Sequence, residues 1–168
     1  MSSQRLAKTL VGLCLLLPLA SAFAQDNSKA AGQNVSEMKF AAFPGMPTCS
    51  SGAVVSGDPA KGPSIILAKM KPGCVFPWHW HTPSEHLMVV SGAVRLEMKD
   101  AVPKTLGAGG FAVMPAHHVH NARCAKACLL YIYSDAAFDM HYVDDQGKEI
   151  SPDEALKKVK ETAAHAPK

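Results

Sequence analysis

From Ala53 to Val143 the chain alternates short apolar runs with turn residues. The runs are AVVSG, SIILAKM, HLMVVS, AVRLEMK, FAVMP, HVHNA, CLLYIYS and FDMHYV. Gly57-Asp58-Pro59, Lys61-Gly62-Pro63, Lys71-Pro72-Gly73, Ser91-Gly92 and Gly107-Ala108-Gly109-Gly110 stand between them. Short apolar runs closed by Gly, Pro and Asp are strand signals, and a long succession of them predicts an all-β sandwich or closed barrel. AVRLEMK alternates cleanly. Val94, Leu96 and Met98 share one face, while Arg95, Glu97 and Lys99 share the other, as in a half-buried strand. No repeat of solenoid period is present.

Both ends depart from this pattern. At the C-terminus, Ser151-Pro152-Asp153-Glu154 reads as a capping box with proline at the first helical position. Ala155, Leu156, Val159 and Ala163 then make a narrow apolar stripe among lysines. The spacing predicts one amphipathic helix over about 152–163, within a C-terminal segment 151–168, covering the outside of the barrel. At the N-terminus, Arg5 and Lys8 precede TLVGLCLLLPLA, which is too short to span a bilayer, and Ser21-Ala22-Phe23-Ala24 follows. That order predicts a signal peptide, residues 1–24, cleaved before Gln25. Cys14 lacks the small residues of a lipid-attachment site, and there is no twin-arginine pair. The expected location is periplasmic or secreted, with no membrane association after cleavage. Residues 25–44 read as a loose arm and 45–150 as the barrel.

Charge adds an exclusion. The chain has 17 basic and 14 acidic residues, and loss of Arg5 and Lys8 would leave a net charge near +1. Without a basic stripe or basic–aromatic interleaving, nucleic acid is not an expected partner. Four cysteines follow the signal: Cys49, Cys74, Cys124 and Cys128. An even count in an exported chain favours disulfides, with three pairings open. Cys124 and Cys128 flank Ala125-Lys126-Ala127, a connection short enough for a hairpin loop whose cross-strand neighbours lie near disulfide reach. That pairing leaves Cys49 with Cys74. Four free thiols or a soft metal site are the alternatives.

The chemistry concentrates in GCVFPWHWHTPSEHLMVVSG, residues 73–92. Residues two apart on a strand share a face, so His79 and His81 converge if this run is extended. Thr82-Pro83-Ser84 bends the chain, and Glu85 opens the next strand, where it can face back. His120, in PAHHVHN, offers a fourth ligand. Three imidazoles and a carboxylate suit one divalent transition metal (Mn, Fe, Zn, Ni or Cu) better than Ca²⁺ or Mg²⁺. Six of the eight histidines fall between His79 and His120.

This run resembles the first motif of the cupins, G-x5-H-x-H-x3-E-x6-G, from Gly73 through His79, His81 and Glu85 to Gly92. Gly109, Pro115 and His120 fit the spacing of the second motif, G-x5-P-x-G-x2-H-x3-N. His117 stands where that family has glycine, and Cys124 where it has asparagine. The resemblance covers roughly residues 45–145. It implies a double-stranded β-helix (jelly-roll) barrel with the metal inside one end, and it allows a homodimer through exposed strands. It does not imply a reaction.

Other residues near the motif have weaker readings. His86 follows Glu85 and points to the opposite face, outward or behind the ligands. His118 shares strand parity with His120 and would enter the cavity unless a turn at Ala116–His118 breaks that parity. His141 would face in from a later strand. Tyr131 and Tyr133 share one strand face and would offer a phenol. These four are the candidate catalytic residues. Trp78 and Trp80 should face away from His79 and His81 as packing. The chain is expected to act on, or bind, a small oxygen-rich organic molecule, either as a dioxygenase-like oxidoreductase or as a non-catalytic metal-dependent binding or sensing module. Candidate residues lining the cavity would favour the enzyme. An otherwise apolar cavity would favour binding.

Overall fold

A computed structural model describes residues 32–164, with side chains to residue 159. The expected signal peptide and the first part of the arm lie outside the described residues. The chain forms strands β1 (Ser50–Gly57), β2 (Ser64–Met70), β3 (Cys74–Trp80), β4 (Glu85–Ser91), β5 (Ala93–Met98) and β6 (Lys104–Gly107). They continue as β7 (Phe111–Met114), β8 (His120–Cys124), β9 (Cys128–Ser134), β10 (His141–Val143) and β11 (Glu149–Ile150), and helix α1 (Pro152–Ala164) follows.

The strands make two antiparallel sheets, in the orders β1-β2-β9-β4-β7 and β11-β10-β3-β8-β5-β6. Leu87, Val89 and Leu130 of the first sheet pack against Val94, Leu96 and Ala122 of the second. Burial of such side chains between two inner faces is what holds a sandwich of this kind together. The expected all-β architecture is present, with α1 packed against β3 and β10. The Ser151 hydroxyl accepts the Glu154 N–H at 3.2 Å, which caps α1 as its sequence predicts.

One irregularity places the site. Phe76 pairs with Ala122 and His79 pairs with His120, so β3 holds one residue more than β8 between these two pairs. This is a β-bulge at Pro77–Trp78, where proline costs no ladder bond. The extra residue switches side-chain parity. Phe76 faces inward before the bulge, and His79 and His81 face inward after it.

The strands depart from the sequence pattern in three places. β6 and β11 have too few apolar residues to stand out in the sequence. FDMHYV is a strand only from His141, because Phe138 to Met140 belong to a loop. HVHNA begins its strand at His120, because the chain turns first: the His118 N–H donates to the Pro115 carbonyl at 3.0 Å.

The described part of the arm is built onto the barrel. Ala41 and Gly52 exchange backbone hydrogen bonds of 3.0 and 2.9 Å. The Tyr142 hydroxyl donates to the Gly45 carbonyl at 2.9 Å. Disulfides join Cys49 to Cys74 and Cys124 to Cys128, with Cα separations of 5.5 and 6.2 Å.

Candidate metal centre

His79 ends the β3–β8 ladder, His81 follows β3, Glu85 opens β4 and His120 opens β8. Their ligand atoms lie within 4.8 Å of one another, and all four residues are buried. Each imidazole has committed its Nδ1–H to a main-chain carbonyl. His79 donates to Pro77 at 2.6 Å, His81 to Asp139 at 2.5 Å and His120 to His118 at 2.8 Å. That fixes the tautomer and leaves each Nε2 lone pair free to bind a metal.

The centre fits a cation. His120 Nε2 and His81 Nε2 lie 3.1 and 3.2 Å from Glu85 Oε2. The His81 contact lacks hydrogen-bond geometry, so its buried Nε2 has no hydrogen-bond partner. Lone pairs and a carboxylate oxygen brought this close repel unless a cation or proton sits among them. Burial pushes the Glu85 carboxyl up, but the His120 and His81 rings beside it, when either carries a proton on Nε2, outweigh this and hold the group well below the usual carboxylate range. Burial, with His120 and His81 as like charges, pushes His79 well below the usual imidazole value. An ionised carboxylate and a neutral imidazole are the forms that ligate.

A loop completes the support of His81. Phe138 stacks on the His81 ring at 4.2 Å, and the Asp139 carboxylate accepts the Thr82 N–H at 2.7 Å.

The four candidate catalytic residues lie elsewhere. None of His118, His141, Tyr131 and Tyr133 lines the cavity that holds the ligands. The turn before β8 breaks the parity of His118, which contributes only its carbonyl to His120. His141 pairs with Trp80 across β10 and β3, on the face opposite the ligands. Its ring stacks on Trp80 at 3.9 Å and contacts Glu149 at 2.8 Å. On β9, Leu130 and Ile132 point inward, so Tyr131 and Tyr133 point out. His86 also points out, 5.5 Å from the Tyr133 ring. His117 occupies the glycine position of the second motif with φ 61°, the left-handed conformation glycine favours. Its N–H donates to the His81 carbonyl at 2.8 Å, so the turn geometry survives the substitution.

The cavity is about 270 Å³. Beyond the ligands its wall is hydrocarbon and thioether, including Ile66, Leu87, Leu96, Met114, Leu130 and Ile132. Among the described residues, Ser50 and Ser51 supply its only other polar side chains, and the Ser50 hydroxyl is spent on the Pro47 carbonyl at 2.7 Å. Hydroxyls of a ligand lying against this wall would be buried without side-chain partners. Sequence reasoning also missed as wall residues Phe43 and Met46, from the segment before β1, and Phe138 and Met140, from the loop before β10.

Residues 66–133 match the family model of the cupin domain. The fold is that of a cupin. An RmlC-like cupin from Ralstonia eutropha JMP134 is similar over 83% of this chain and 92% of its own, at 19% identity and a TM-score of 0.58. The polyketide cyclase RemF from Streptomyces resistomycificus is similar over 69% of this chain and 87% of its own, at 14% identity and a TM-score of 0.60. An RmlC-like cupin from Shewanella frigidimarina NCIMB 400 is similar over 65% of this chain and 92% of its own, at 18% identity and a TM-score of 0.54. No curated protein sequence matches the chain. At these identities the likeness speaks for the cupin fold alone, and the chemistry must come from the site.

Proposed function

We propose that this chain is an exported, metal-dependent oxidoreductase of the dioxygenase type, acting on a small organic molecule bound beside the metal. One observation carries the reading: among the described residues, the only titratable side chains lining the cavity are the four candidate ligands. Isomerisation, elimination and hydrolysis each call for a protein group that gives or takes a proton near the substrate. This cavity offers none apart from the ligands. A bound iron or manganese ion would supply Lewis acidity and one-electron chemistry to a substrate and O₂.

The protein's own part is to hold and to exclude. His79, His81 and His120 present Nε2, and Glu85 presents its carboxylate. The main-chain carbonyls keep each ring turned, and the apolar wall keeps water from the centre. The basic and apolar N-terminal sequence supports export, as do two disulfides.

A second reading rests on the same observation, which is the outcome expected above of a binding module: the four candidate residues stay outside a cavity whose wall is apolar. A metal in an apolar cavity without acid–base groups also suits a binding or sensing module. Reconstitution of the apo-protein with Fe²⁺, Mn²⁺ and Zn²⁺ separates the two, with oxygen uptake followed over small carboxylates and phenols. Substrate-dependent uptake with Fe²⁺ or Mn²⁺, and none with Zn²⁺, is the expected result. Binding without uptake on every metal would defeat the oxidoreductase and leave the binding module.

A further inference from the structure

Three pieces of chain bring apolar side chains to the cavity from outside the strands. The loop before β10 brings Phe138 and Met140, the loop after β1 brings Pro59 and Ala60, and the segment before β1 brings Phe43 and Met46. The last is unusual in how it is held. It is tied by the Ala41–Gly52 backbone pair, at Gly45 by the Tyr142 hydroxyl and at Cys49 by the disulfide to Cys74. Its seat is shaped for it. A Cβ at Gly52 would lie 2.5 Å from the Phe43 ring and 3.0 Å from Ile66, so the ring rests on β1 only because residue 52 has no side chain. Tyr142 is itself 1% exposed, so the tie to Gly45 sits under cover and not on a fraying surface.

We infer that the segment Ala41–Cys49 is the ligand-selecting wall of the cavity, and that the cavity takes a small molecule with an apolar body and one oxygen donor at its end. The inference rests on the metal-centred reading above. Oxygen donors belong at the His79–His81–Glu85–His120 end, the only concentration of polar atoms in the cavity. Everything beyond that end rewards hydrocarbon. At about 270 Å³ the space lies just under the range of pockets for drug-sized ligands, so the body is small. Phe43 and Met46 come from a segment outside both sheets, and their size sets where the body must stop. Flexible thioethers such as Met46 fit irregular shapes and tolerate a range of bodies.

Calorimetric titration of the full Zn²⁺-loaded protein with straight-chain carboxylates tests this. Acetate, butyrate, hexanoate and octanoate are compared with gluconate. Affinity should rise by up to about fourfold per methylene until the cavity is full, and gluconate should bind no tighter than acetate. Phe43→Ala and Met46→Ala should move the length limit to longer acids with bound zinc unchanged by elemental analysis. Phe43→Leu, the gentler variant should the alanine fail to fold, should move it in the same direction by less. Flat affinity along the series, or tighter gluconate, would overturn the ligand class. An unchanged length limit in the Phe43 and Met46 variants would overturn the wall. Failure to bind Zn²⁺ would overturn the metal centre and this inference together. Length-dependent binding without oxygen uptake in the iron form would overturn only the oxidoreductase.

Discussion

The β3–β8 ladder ends in two clusters of opposite character. At one end Cys74 pairs with Cys124, and at the other His79 pairs with His120. All four residues are buried. At the cysteine end each sulfur is consumed by another sulfur, and nothing reactive is left. At the histidine end each ring gives one nitrogen to the main chain and keeps the other open. Two register pairs on one ladder thus do different work: the first closes covalent loops, the second leaves lone pairs aimed at a common point. What separates stability from chemistry here is whether the inward atoms already have partners.

The comparison is sharpest under ligand loss. His81→Ala should weaken metal binding by more than about a hundredfold, while His86→Ala should leave it intact. Metal titration checks both, and the reverse pattern would exchange Glu85 for His86 in the centre. The cysteine end should respond in stability instead. Replacing Cys49 and Cys74 by serine opens a loop with a separation of 25 residues and should cost about 3 kcal/mol. Replacing Cys124 and Cys128, separated by 4, should cost about 2 kcal/mol. Chemical denaturation measures these losses. A matching fall in metal stoichiometry in either double variant would break the division of labour. Asp139→Ala removes the acceptor of the Thr82 N–H and loosens the carbonyl that orients His81. It should weaken the metal about tenfold without abolishing binding.

The smallest effect lies outside both clusters. Burial pushes His141 down, but hydrogen bonds to Glu149 and Asp139 outweigh it and raise the imidazole above its ordinary value. A group raised in this way stabilises the fold fully below the ordinary value of about 6.5. The contribution is lost as pH rises through the raised value. The loss should stay under about 1 kcal/mol, and Glu149→Gln should shrink it. Thermal melts of the apo-protein across neutral pH provide the readout.

The cluster of His79, His81, Glu85 and His120 was legible in the sequence because motif spacing places its members. H-x-H needs only strand parity, and Glu85 and His120 each open a strand. The Ser151 cap of α1 and the outward Trp80 were legible for the same local reason. The candidate catalytic residues were not, because their faces depend on events outside their own strands. A turn resets His118, and register with Trp80 turns His141 outward. The bulge at Pro77–Trp78 was invisible, since only pairing with β8 reveals the extra residue. Phe43 and Met46 sit in a segment without period, and their place in the wall comes from the tie to Tyr142 and the gap at Gly52.

The acceptors that turn the three imidazoles are the carbonyls of Pro77, His118 and Asp139. Every residue type carries such a carbonyl, so no single replacement at those positions deletes one. The rest of the chamber is made of side chains, each of which a replacement can enlarge, shrink or polarise. Mutation therefore meets two materials in this protein: a hub whose aim is inherited with the backbone, and a lining open to revision. A lineage of such chains can change what it admits many times over while the hub goes on pointing at the same place.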